Sequence, residues 1–102
     1  MKSVGFALVL FAGFTNVVLP MEQGIASYYQ NPHYTGLIAA HKTPPFGTQV
    51  RVLNLDNGRT AIVKIVDRGP FIRGRIIDVS PAAADALGFL RAGVAHVRIE
   101  RI

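Results

Sequence analysis

The chain has 102 residues and a formal net charge of +5, with a pI near 10.3, which leaves room for one domain. The absence of cysteine excludes a disulfide framework, a zinc–thiolate site, a cysteine nucleophile and lipid attachment at an N-terminal cysteine. The basic balance suits an anionic polymer, but lysine and arginine are spread from Lys42 to Arg101 and form no run resembling a nucleic-acid-binding arm.

Lys2 followed by the apolar stretch from Val4 to Leu19 has the charged start and apolar middle of a signal peptide. The stretch is shorter than the roughly 20 residues of a bilayer span, and Val18, Leu19 and Pro20 leave no small-residue cleavage pattern before Met21. Residues 1–21 are therefore read as a signal peptide or N-terminal anchor, and 22–102 as one domain. So small a domain buries only about 60% of its unfolded surface. A shallow groove for a polymer fits it better than a deep cofactor pocket, and no cofactor or metal is expected.

Gly24 to Tyr29 reads as a first strand, and Gln30 to Gly36 as a loop rich in turn residues. A short apolar run, Leu37 to Ala40, ends at His41, and Thr43 to Gly47 forms a turn stiffened by Pro44 and Pro45. Thr48 to Leu55 and Arg59 to Val66 read as strands joined at Asp56-Asn57-Gly58, Asn-Gly being a strong hairpin cue. Period-two alternation places Ala61, Val63 and Ile65 on one face, and continuing that phase puts Asp67 beside this expected core face. Arg75 to Val79 is a further strand. Ser80 is an N-cap with Pro81 at the first helical position, Ala82 to Leu87 a short helix, and Gly88 its C-terminal stop. Val94 to Ile102 is the last strand, with Val97 and Ile99 on one face and His96, Arg98 and Glu100 on the other. Five or six short strands with Gly/Pro turns and one helix predict a barrel or sandwich.

Several segments, in order, resemble the rare lipoprotein A (RlpA) family. They are Gly24-Ile25-Ala26-Ser27-Tyr28-Tyr29, Ala39-Ala40-His41-Lys42-Thr43, Pro45-Phe46-Gly47-Thr48, Asn57-Gly58-Arg59, Asp67-Arg68-Gly69-Pro70-Phe71 and Arg73-Gly74-Arg75-Ile76-Ile77-Asp78-Val79-Ser80. The resemblance spans residues 24–102 and implies a mainly β fold, a six-stranded double-psi β-barrel with one short helix. It also implies lytic transglycosylation of peptidoglycan between N-acetylmuramic acid and N-acetylglucosamine on glycan strands without stem peptides, in septal wall remodelling. The wider barrel group includes expansins, which bind glycan without hydrolysing it. One family stretch, Thr-Ala-x-Gly-Glu-x-Phe-Asp, is absent: Tyr34-Thr35-Gly36 runs directly into Leu37, and a family glutamate and aspartate go with it.

Lytic transglycosylation needs one acid that becomes a base, whereas ordinary glycoside hydrolysis uses two carboxyls. The carboxylates are Glu22, Asp56, Asp67, Asp78, Asp85 and Glu100. Glu22 lies at the junction with the leader, Asp56 in a turn, and Asp85 and Glu100 on exposed faces. The family's functional aspartate falls on Asp67, the candidate acid/base. The resemblance places His41 near the groove, to orient Asp67 or bind sugar hydroxyls. Tyr28 and Tyr29 are candidates for stacking on sugar, and Lys42 and Arg68 for meeting a muramic carboxylate. Asp78 is read as structural, bonding amides at the helix start, together with Gly69, Pro70 and Ser80. The expected partner is peptidoglycan, met by an exported monomer in the periplasm or cell envelope. Membrane contact is expected only through an uncleaved leader, and nucleic acid is not expected. A non-catalytic, expansin-like glycan-binding barrel is the alternative.

Overall fold

The structure, a computed structural model, describes residues 21–102; the leader expected over 1–21 lies, except for Met21, outside the described residues. Six strands and one helix follow in order: β1 (Met21–Tyr28), β2 (Ile38–Ala40), β3 (Gln49–Asn54), β4 (Thr60–Asp67), β5 (Arg75–Val79), α1 (Pro81–Leu87) and β6 (Val94–Arg101). They close into a barrel in the order β1-β5-β2-β4-β3-β6. The pairs β1/β5 and β2/β4 are parallel and the others antiparallel. This is the six-stranded double-psi barrel with one short helix that the sequence implied. Met21 and Glu22 belong to β1, so the first strand starts earlier than Gly24.

Alternation builds the core. Val50 and Val52 of β3, Val63 and Ile65 of β4, Ile77 and Val79 of β5, and Val97 and Ile99 of β6 are at most 3% exposed, and Ala26 and Ala39 are buried where strands approach closely. The helix closes one side with Ala83, Ala84 and Leu87. The Ser80 hydroxyl accepts from the Ala83 amide (3.2 Å) and donates to the Gly36 carbonyl (2.7 Å), so the cap also ties the helix to the loop before β2. The connection between β3 and β4 runs from Leu55 to Arg59, longer than a two-residue turn. Its Asn57 joins buried Asn54 in donating to the Leu87 carbonyl, which anchors the hairpin to the end of the helix.

The phase expected for Asp67 is corrected. Ala39 pairs with Ile65, but Ala40 pairs with Asp67, so the register shifts by one residue between them. Ala40 also pairs with Asp78, whose neighbours Ile77 and Val79 point inward. The shift turns Asp67 from the core face to the outer face.

Candidate functional site

Four paired positions form a row across four adjacent strands: Ser27 on β1, Asp78 on β5, Ala40 on β2 and Asp67 on β4. Paired residues share a face, so the two carboxylates stand on the same outer surface, two strand spacings or about 10 Å apart along the row. Ala40, nearly fully buried, lies between them and contributes no bulk beyond a methyl group. This outer-face row marks the candidate groove.

Asp67 is partly buried and surrounded by donors. Its Oδ1 accepts from the Arg68 amide (2.8 Å), and its Oδ2 from the Tyr29 hydroxyl (3.0 Å) and the Asn31 side-chain amide (3.5 Å). Asn31 also donates to the Tyr29 hydroxyl at 3.2 Å. Burial pushes the Tyr29 hydroxyl above its ordinary pKa; the Asn31 bond offsets part of this, and the Asp67 bond and charge, with the charge of Asp78, raise it further. Tyr29 therefore stays a neutral donor to Asp67. Among the described residues no cation within salt-bridge distance neutralises Asp67. The Arg68 guanidinium points elsewhere, donating to the carbonyls of His41 (3.2 Å) and Pro44 (2.8 Å) and covering the Phe46 ring at 4.2 Å. Phe46 and Phe71 are 60% and 79% exposed and offer aromatic faces on the loops flanking Asp67.

The other candidates divide. Tyr29 reaches the groove, but Tyr28 does not: it packs on Phe89 and donates to the Leu90 carbonyl, because adjacent strand residues point to opposite faces. Asp78 accepts from the Ser27 hydroxyl and bonds no amide at the helix start, which Ser80 serves instead. Sequence reasoning gave Asp78 a local role because it precedes the cap by two residues; its place in the groove depends on pairing with β1 and β2. Gly69 and Pro70 are buried, with Gly69 at φ +117°, and they turn the chain sharply after Asp67. Lys42 is exposed. His41 is a further correction. Its backbone N–H donates to the Asp67 carbonyl (3.1 Å), but its ring turns the other way, into the barrel mouth. There Nε2 meets Glu22 Oε1 at 2.6 Å and Nδ1 accepts from the Thr43 amide at 3.3 Å. The ring, fully engaged there, neither orients the Asp67 carboxylate nor faces the groove. Glu22, read from sequence as a junction residue, was missed because its partner is 19 positions away.

Comparison with known proteins shows the family and the fold. A family described as lytic transglycolase matches residues 21–99. The endolytic peptidoglycan transglycosylase RlpA of Neisseria meningitidis serogroup A is 59% identical over 64 residues, 63% of this chain and 27% of that protein. The Pseudomonas aeruginosa protein of the same name is 54% identical over 67 residues, 66% of this chain and 20% of its own length. The chain thus spans about a quarter or less of these relatives. Among solved structures, a Clavibacter michiganensis expansin in complex with cellohexaose superposes with a TM-score of 0.67 at 19% identity, over 81% of this chain and 50% of that one, a likeness of fold.

Proposed function

Because the chain belongs to the lytic transglycolase family of double-psi β-barrels, we propose that it cleaves peptidoglycan glycan strands in the cell envelope as an endolytic transglycosylase, with Asp67 as acid and base. One carboxyl protonates the glycosidic oxygen as the C1–O bond breaks. The muramic 6-hydroxyl then attacks C1 and gives its proton to the carboxylate, leaving an anhydro ring without consuming water. The observation that carries this reading is Asp67 itself: partly buried, set by Tyr29, Asn31 and the Arg68 amide, and, among the described residues, with no cation in salt-bridge distance. Asp78, on the same row, supplies a second carboxylate to hold a sugar hydroxyl, while the transferred proton cycles on Asp67. The exposed rings of Phe46 and Phe71 and the exposed loop from Pro32 to Leu37 offer surface to glycan without stem peptides.

The shortness of that loop favours a second reading, a barrel that binds glycan without turning it over, since positioning groups on a longer loop would be lost. The full chain incubated with denuded glycan strands decides between them. Mass spectrometry should find anhydromuramic ends, abolished by Asp67→Asn and strongly reduced by Asp78→Asn. Absence of such ends from wild type, with retention on sacculi, would establish the binding barrel. Full activity in Asp67→Asn would move the chemistry elsewhere.

A further inference from the structure

We propose that Glu22 is a positioning residue for the groove, acting through the His41 ring on the segment from His41 to Phe46 that backs Asp67. The proposal rests on the groove being the working site.

Glu22 pairs with Ile99, a core residue of β6, so β1 carries its carboxyl into the mouth of the barrel. His41 follows Ala40 by one residue, and alternation sends its ring to the face opposite Asp67. The two side chains meet at 2.6 Å, with 5% of the His41 side chain and 48% of the Glu22 side chain exposed. They line a cavity of about 150 Å³ together with Val50 and Ile99. Since Nδ1 accepts from the Thr43 amide, the ring proton sits on Nε2 and is donated to Glu22.

The same segment is gripped from the outer face. Arg68 binds the His41 and Pro44 carbonyls and lies over Phe46, while the His41 amide binds the Asp67 carbonyl. Glu22 holds the segment from inside the barrel and Arg68 from outside, and Asp67 is bonded to both holders' neighbours: its carbonyl to His41 and its Oδ1 to the Arg68 amide. Releasing the inner hold lets the segment shift, and the carboxylate with it. A misplacement on the order of 1 Å is enough to cost a large part of a positioned reaction's rate.

The test uses the full chain with Glu22→Ala and Glu22→Gln. Glutamine keeps an oxygen that accepts from Nε2–H and should behave as wild type. Alanine should speed exchange of the His41 amide about tenfold, as for loss of a charge-assisted hydrogen bond. It should also move the His41 Nε2–H proton resonance upfield, as for loss of its acceptor, with the tautomer kept by the Thr43 amide on Nδ1, and leave the Val52 amide unchanged. On glycan strands kcat should fall about tenfold with KM held. An unchanged Nε2–H resonance and His41 exchange rate in Glu22→Ala would overturn the proposal, as would equal acceleration at Val52, the mark of general destabilisation, or an unchanged kcat. If wild type releases no anhydromuramic ends, the proposed activity falls while the Nε2–H resonance and exchange still decide whether Glu22 holds the segment.

Discussion

Tyr29 and Tyr28 are neighbours with opposite fates, and the difference is chemical as well as geometric. Tyr28 adds apolar area against Phe89, whereas Tyr29 spends its hydroxyl on Asp67. With a folded pKa raised above the ordinary value of about 10, mainly by burial, Tyr29 binds its proton more tightly in the native state. Its contribution to stability is therefore complete below about pH 10 and is lost as pH rises through the folded value. Tyr29→Phe should flatten the alkaline part of the stability curve in denaturant titrations and remove the latest-ionising tyrosine from an ultraviolet titration. An unchanged alkaline profile would show that Tyr29 is not held partly buried beside Asp67 in solution. Arg68→Ala should loosen the segment from His41 to Phe46 and lower glycan turnover by changing kcat more than KM, since its guanidinium is occupied by protein carbonyls. A rise in KM alone would instead assign Arg68 to direct substrate contact.

At the scale of elements, punctuation residues set the boundaries. Ser80 and Pro81 open the helix, and Gly88, at φ +79°, ends it by donating to the carbonyls of Ala84 and Asp85. A Cβ at Gly88 would stand 2.6 Å from Asn57 Nδ2 and 3.0 Å from Arg59 Nη1, so the clash adds to the left-handed strain. Gly88→Ala should cost at least about 1–2 kcal/mol, and Ser80→Ala about 1 kcal/mol. Both are readable as a fall in Tm of roughly 4–8 °C per kcal/mol for a domain of this size. A Gly88→Ala variant as stable as wild type would mean that the helix end and the hairpin rearrange together. These elements were legible because caps, prolines and the Asn-Gly turn act locally. The placement of Asp67 was not, because strict alternation carries no information about a register shift imposed by pairing with Ala40.

For the whole molecule, closure is the main consequence. A barrel has no free edge strand to template association, so the chain should run as a monomer in light scattering when studied without membranes. A concentration-dependent dimer would point to association through a face rather than an edge. The net charge of +5 should make retention on peptidoglycan sacculi fall with added salt, because exposed charges are screened over a Debye length of about 8–10 Å. Retention indifferent to salt would assign binding to the aromatic faces of Phe46 and Phe71 instead of the charge.

By itself the sequence determined the strand-and-turn pattern and the capped helix, which follow from residue type and short-range spacing, and its resemblance to a known family pointed to Asp67 as the candidate carboxylate. Only the tertiary structure decided which side chains share the groove. It set Asp78 and Ser27 in one row with Asp67, turned Tyr28 and the His41 ring away, and gave His41 to Glu22. The physical reason is that these meetings depend on strand order and register across a closed barrel, where a shift of one residue exchanges the inner face for the outer.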